Sequence, residues 1–333
     1  MKKLLTLALC ALMAVSAVLV GCNNKSNNDN NDNNNEVKTV KFGAGIYTSS
    51  PSAVDATEDK DGTGNVDVTV AALTVDADGK IASCELDTAS YTVKYTADGK
   101  AIASEFKTKY ELGKDYNMVA YGGAKKEWFE QADAFEGVVV GKTLDQVKAL
   151  VAEGNKGTEE VMTAGCTIMI NEFVSAIEKA YNVANKEVSA DATLDLNIAT
   201  TQTCTDATED KNGSNDIEAY VFAAALDADS KVVAASSDCV EVSFTFDANG
   251  VSTLDTTKPV LSKMEKGTNY GMVAYGGATK EWFEQAAAFD AACIGKTKEE
   301  IAGLLGEDGK GNSDLQAAGC TIYVTGFVKA ATK

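Results

Sequence analysis

The chain contains two copies of one long unit. Residues 118–135 recur at 272–289 with two differences, and the octet DATEDKDG recurs as DATEDKNG. A unit of about 150 residues has the size of a domain and is much longer than a solenoid repeat. We therefore predict two tandem homologous domains, repeat 1 at 37–183 and repeat 2 at 184–333.

The first 22 residues have the pattern of an export signal. Two lysines precede an apolar run, and the run ends in Leu-Val-Gly-Cys at Cys22, which resembles the lipobox of bacterial lipoproteins. The resemblance implies cleavage before Cys22, a diacylglycerol on its thiol and anchoring to the outer face of the membrane. The alternatives are an uncleaved anchor helix or an incidental cysteine. Residues 23–36 are asparagine-rich and indicate a flexible tether.

Composition excludes several classes of function. The chain has 30 basic residues, all of them lysine, against 49 acidic residues, and its net charge is −19. Nucleic acid is therefore not an expected partner, because neutralised phosphates supply most of that affinity. The lack of histidine excludes Ser-His-Asp catalysis, Cys-His catalysis and histidine-ligated metal sites. The acidic octet does not fit an EF-hand, whose twelfth position would be Val68.

The first half of each unit is predicted to be an antiparallel sheet. Residues 66–75 are apolar and β-branched, Asp-Ala-Asp-Gly-Lys follows as a turn, and residues 81–87 form the partner strand. A second hairpin is predicted around Gly99.

The second half of each unit is predicted to be helical. Trp128, Ala132 and Phe135 share one face of a helix that we expect from residue 124 to about 138. Two threonines, Thr143 and Thr297, begin capping boxes. A final helix should follow, with Asn171 or Thr325 as its N-cap. The predicted fold class is α+β, with helices packed on each sheet.

The motif Ala-Gly-Cys-Thr precedes this final helix in both copies, at 164–167 and 318–321. Together with the order of elements before it, the motif resembles the end of the FMN-binding domain family, which carries flavin in electron-transfer proteins. The resemblance implies a phosphoester between FMN and Thr167 or Thr321. It also implies that the preceding glycines and cysteines contact the cofactor, namely Gly165, Gly319, Cys166 and Cys320.

The copies depart from the family signature at three positions, one of which is the alanine before the threonine, replaced here by Cys166 and Cys320. Ala164 and Ala318 stand where the signature has serine or threonine, and Val161 and Leu315 stand where it has aspartate. The motif can equally be a turn that leads into a helix.

An isoalloxazine ring needs an aromatic or apolar wall. Tyr121, Trp128, Tyr275 and Trp282 are the candidates, although a tryptophan on the apolar face of a helix can equally be part of the core. Glutamates beside these tryptophans, among them Glu127, are predicted to lie on the solvated face of the helix.

Two functional hypotheses remain open. The first is a lipid-anchored surface electron carrier with one flavin in each domain and a redox partner at the cell surface. The second is a flavin-free binding or structural lipoprotein on the same scaffold. No nucleophile with an activating base is visible, and the scattered cysteines do not predict a zinc site.

Overall fold

The computed structural model describes residues 38–333. The predicted signal peptide, Cys22 and the asparagine-rich tether lie outside the described residues. The described residues form antiparallel sheets with packed helices, which confirms the α+β fold class. None of the helices in 38–333 combines the length and apolar character needed to cross a bilayer.

Within residues 38–333, nine strands form two sheets, all with antiparallel pairing. The strands are β1 Thr39–Thr48, β2 Ser52–Val54, β3 Gly62–Val75, β4 Ile81–Tyr95, β5 Ala101–Ile102, β6 Lys186–Ser189, β7 Thr193–Thr205, β8 Gly213–Leu226 and β9 Val232–Phe246. The first sheet has the order β5-β4-β3-β1-β6, with β2 also paired to β3, and the second has the order β7-β8-β9. Both predicted hairpins are therefore confirmed, and β4 is one continuous strand that serves both of them.

The helices follow the strands within each repeat. They are α1 Lys109–Leu112, α2 Trp128–Val139, α3 Leu144–Lys148, α4 Glu159–Ala164, α5 Asn171–Asn182, α6 Lys263–Lys266, α7 Trp282–Cys293, α8 Lys298–Ala302, α9 Ser313–Ala317 and α10 Thr325–Ala331. Short 3-10 turns occupy Gly113–Tyr116, Glu153–Asn155 and Gly267–Tyr270.

The capping predictions had mixed outcomes. Thr143 and Thr297 form the predicted capping boxes. Asn171 and Thr325 are not N-caps, because each is the first residue inside its helix and the residue before it makes no side-chain cap. The Thr325 hydroxyl instead donates to the Gly309 carbonyl at 3.0 Å. The helix expected from residue 124 begins later, at α2.

The two sheets pack face to face, and helices cover both outer surfaces. Along β3, Val66, Val68 and Val70 point into a core shared with β8, while Ala71 and Leu73 point to the helices of repeat 1. The corresponding residues of β8 divide in the same way between the shared core and the helices of repeat 2. The layers are therefore helix, sheet, sheet and helix.

The ends of the sheets meet in reciprocal contacts. The Ala56 N–H donates to the Gly250 carbonyl at 2.8 Å, and the Ala207 N–H donates to the Gly99 carbonyl at 2.7 Å. The octet loop of each repeat thus holds the hairpin turn of the other. Two equivalent rings, Tyr95 and Phe246, stack with centroids 4.5 Å apart. Paired equivalent contacts of this kind are typical of an isologous, two-fold interface.

The final helix of repeat 1 lies very close to the sheet. A β-carbon at Gly43 or Gly45 of β1 would overlap the backbone of α5 at Ala180. Glycine therefore permits the close packing that fixes α5. Because α5 begins four residues after Thr167, this packing also fixes the threonine loop.

Candidate functional site

The loop that carries each predicted threonine begins at a glycine with positive φ. Gly165 has a φ of +107° at the end of α4, and Gly319 has a φ of +97° after α9. The Cys166 N–H donates to the Val161 carbonyl at 3.2 Å, and Cys320 makes the same bond in repeat 2 at 3.1 Å. A left-handed residue of this kind commonly ends a helix and favours glycine.

A buried glutamine holds each threonine in place. The backbone N–H and the hydroxyl of Thr167 both donate to Oε1 of Gln131, at 2.8 and 3.0 Å. Thr321 makes the same pair of bonds to Gln285, at 2.8 and 2.9 Å. Both glutamines are 1% exposed, whereas both threonines are exposed. Each threonine is therefore a surface residue whose hydroxyl is held in a fixed orientation against a buried glutamine.

A lysine lies against each glycine of the motif. Nζ of Lys126 donates to the Ala164 carbonyl at 3.4 Å, and Nζ of Lys280 donates to the Ala318 carbonyl at 3.4 Å. A β-carbon at Gly165 would overlap the Lys126 ammonium, and the same holds for the glycine facing Lys280. Glycine at this position thus serves both the positive φ and the approach of the lysine.

Sequence reasoning missed these lysines and glutamines. A lysine in a charged segment is ordinarily interpreted as a solvated surface residue. Gln131 has a side chain that neither binds metal nor acts as a nucleophile, so its residue type alone did not mark it as a site residue. The available signal was their recurrence, because all four residues belong to the nearly identical blocks at 118–135 and 272–289.

The motif cysteines are core residues. Cys166 and Cys320 are fully buried, and their desolvation raises the pKa of each thiol to about 11. A thiol with so high a pKa is almost entirely protonated at neutral pH, which makes it a poor nucleophile. The structure therefore places their side chains beneath the loop, where they pack with the helices.

The tryptophans also lie in the core. Trp128 is 3% exposed, packs edge-on against Phe173 with centroids 5.7 Å apart, and lies under the Lys109 ammonium. Trp282 is 4% exposed and packs against Phe327 at 5.8 Å. These contacts correspond to the core alternative for both tryptophans.

The tyrosines before α2 and α7 are strongly exposed. Tyr121 is 87% exposed and Tyr275 is 92% exposed, each at the tip of a turn. The prediction that Glu127 lies on a solvated face is wrong, since Glu127 is 7% exposed. Its carboxylate accepts the Met118 N–H at 2.9 Å, and Glu281 holds the second turn in the same way. The glutamate is buried because it closes the turn.

Within residues 38–333, no group of three or more cysteine, aspartate or glutamate side chains could hold a metal ion. The six cysteines of this part of the chain are free thiols, and Cys204 is the exposed one among them. No family model, curated protein or solved structure matches the chain. A functional assignment therefore depends on the residues and their geometry.

Proposed function

We propose that the protein is a lipid-anchored, extracytoplasmic electron carrier that holds one FMN on Thr167 and one on Thr321. Cys22 would carry the anchor, and a redox partner at the cell surface would exchange electrons with the flavins. One observation supports the proposal above others. In both repeats an exposed threonine has its hydroxyl fixed by a buried glutamine, in a loop whose preceding alanine carbonyl is contacted by a lysine ammonium.

The residues at each loop fit a phosphoester-linked flavin. Esterification would remove the hydroxyl proton of Thr167, but the backbone N–H bond to Gln131 would remain. The cost would be one hydrogen bond, about 1 kcal/mol. Two residues beyond the threonines, Met169 and Tyr323 are 63% and 65% exposed, and they offer apolar surface to a ring.

Bound FMN supplies reversible electron transfer. During attachment, Oγ1 of Thr167 would form the new bond to phosphorus and lose its proton. An activated donor such as FAD would release AMP as the leaving group. A separate flavin transferase would supply the base, because the loop itself presents only a hydroxyl and an ammonium.

A second candidate is a flavin-free surface protein in which the threonine only joins the loop to α2. The hydrogen bond from the Thr167 hydroxyl to Gln131 favours this candidate, since it already gives the hydroxyl a structural role. Ala164 and Ala318, at the serine or threonine position of the family signature, favour it as well.

Flavin loading separates the two candidates. The full chain is produced with a flavin transferase, and its intact mass and absorbance near about 450 nm are recorded. We expect two FMN groups on the wild type, one on Thr167→Val or Thr321→Val alone, and none on the double variant. Thr163→Val is the matched control, because Thr163 is an exposed threonine on α4 that repeat 2 replaces with Ala317.

A wild type without flavin mass would refute the proposal and leave the flavin-free candidate. Flavin mass that persists in the double variant would show that the attachment sites are wrongly assigned.

A further inference from the structure

The two repeats differ strongly in their buried strands and very little in the exposed surface before α2 and α7. β3 and β4 share only four of their 29 positions with β8 and β9, although the strand pairs have the same register. The block 116–135, in contrast, matches 270–289 at 17 of 20 positions. Its second part is the partly buried start of α2, and the turn before that helix, residues 116–127, matches 270–281 at ten of twelve positions. Exposed loops ordinarily vary more than the elements they connect. The reverse pattern here indicates a functional constraint on this surface.

The residues of this block meet at the threonine loop. Lys126 contacts Gly165, and Gln131 binds Thr167. In repeat 2 the turn is connected to the same place, because Gln285 also approaches the sulfur of Met272 at 3.9 Å. The turn, the lysine and the threonine are therefore parts of one surface.

The ammonium groups of Lys126 and Lys280 have N–H donors beyond the one bond shown for each. An ammonium has three donors, and the contact shown for each of these lysines is one long bond to a carbonyl. The ion pairs of residues 38–333 involve other lysines. Burial raises the pKa of Asp133, and the Lys126 ammonium is near enough to oppose that rise, but repeat 2 has Ala287 at that position. The ion pairs involve ten of the lysines in residues 38–333, so Lys126 and Lys280 are distinguished by their position against the glycine of each motif and not by the lack of an ion pair.

We propose that Lys126 and Lys280 each form a phosphate-binding site beside the threonine of their repeat. The inference rests on the proposed function, in which FMN brings the phosphate to that place. The ammonium donates to a phosphate oxygen and balances the charge of the phosphoester. Lysine is well suited to this role because it binds phosphate as a compact point charge.

Each lysine also has a structural contact, since its bond to Ala164 or Ala318 caps the carbonyl end of a helix turn. Loss of stability alone would therefore not demonstrate phosphate binding. The test needs a measurement that responds to phosphate binding itself, and a variant that keeps the positive charge of the lysine.

The first experiment uses the full chain without flavin and titrates it with inorganic phosphate, with chloride at equal ionic strength as the blank. Amide resonances of Gly165 and Gly319 are followed by NMR. We expect both to shift in the wild type, and Lys126→Met to abolish the Gly165 response while leaving that of Gly319. Lys125→Met is the matched control, because Lys125 is an exposed neighbour that repeat 2 replaces with Thr279.

The second experiment measures the initial rate of flavin loading at each threonine. Lys126→Met should slow loading at Thr167 by about ten- to a hundredfold, the range of one hydrogen bond to a charged group. Loading at Thr321 should not change, and Lys126→Arg should restore much of the rate at Thr167. A variant that is merely less stable would affect both sites.

The outcomes separate this inference from the proposed function. If flavin loads equally with and without Lys126 and phosphate produces no shifts, the lysine site is refuted and the electron carrier stands. If no flavin loads but lysine-dependent phosphate shifts occur, the carrier is refuted and the phosphate site stands. Shifts that persist in Lys126→Met, or an absence of both loading and shifts, would overturn the inference.

Discussion

Asp238 offers a quantitative test of how the desolvation of one carboxylate changes the stability of the fold with pH. Asp238 is half-buried between β9 and α6, where its carboxylate accepts the N–H groups of Cys239 at 2.7 Å and Met264 at 3.1 Å. Desolvation raises its pKa from 3.8 to about 7, against the opposing effect of these hydrogen bonds. The equivalent residue of repeat 1, Asp87, has its pKa raised to about 6 for the same reason.

The direction of the pH dependence follows from the raised pKa of Asp238. In the unfolded chain the carboxyl loses its proton near its ordinary pKa of 3.8, whereas in the folded protein it retains the proton to about pH 7. The folded state therefore binds more protons across this window, and stability falls as pH rises. The contribution is full below about pH 4 and is lost by about pH 7. Three pKa units correspond to about 4 kcal/mol.

The assay compares the wild type with Asp238→Asn by urea unfolding from about pH 4.5 to about pH 7.5. Asparagine keeps an acceptor oxygen but does not titrate. The advantage of the wild type over this variant should shrink by about 3 kcal/mol across the series. Taking the difference removes the effect of the net charge, which both proteins share at the remaining positions.

Asp247→Asn is the control for this series. Asp247 lies in an exposed turn, and the N–H groups of Val251 and Asn249 lower its pKa, so it stays ionised throughout. Its stability difference from the wild type should be independent of pH. If Asp238→Asn gave the same flat profile, the desolvated carboxylate would not be the source of the pH dependence, and our account of Asp238 would be wrong.

Three further predictions concern the shared core, the glutamine clamp (the two bonds from Thr167 to Gln131) and the thiols. A protease site placed in the turn at 190–192 and then cleaved should leave the halves associated on gel filtration, because the sheets share a core; separate half-size peaks would contradict this. Gln131→Leu should lower the free energy of unfolding by about 1–3 kcal/mol, since the Thr167 N–H loses its acceptor; an unchanged urea midpoint would show that the clamp contributes nothing. Alkylation of the native chain should modify Cys204 before the five buried cysteines, as read by mass spectrometry, and equal rates would contradict their burial.

Local patterns predicted the hairpins and capping boxes because these depend on a few neighbouring residues. Asp76 shows this clearly, since its carboxylate accepts N–H groups two and four residues ahead within the predicted turn. The N-cap prediction at Asn171 failed for a related reason. Helix α5 begins one residue earlier than the side-chain preference suggests, because Ile170 is buried in the core and its carbonyl already accepts the N–H of Val174.

The packing of the two sheets could not be predicted from the pattern of β3. A sheet with one solvated face should alternate between apolar and polar residues, but residues 68–75 of β3 are buried without interruption. The run is compatible with a strand covered on both sides, although it does not say what covers each side. The helices of repeat 1 cover one side, and the sheet of repeat 2, more than a hundred residues away in the chain, covers the other.

The shared core limits where either repeat can bind a ligand. Each sheet uses its inner face to contact the other sheet and its outer face to support helices, so both faces are already occupied. Binding is left to the loops around the helices, and the residues retained between the repeats lie in the turns before α2 and α7 and in the first part of those helices. The strands were free to exchange one apolar side chain for another, as at Leu73 and Ala224, provided that volume was compensated across the core. Lys126 and Lys280 are half-buried against the glycine of each motif, outside the core that the two sheets share. Their retention in both repeats supports our proposal that the threonine loops bind the ligand.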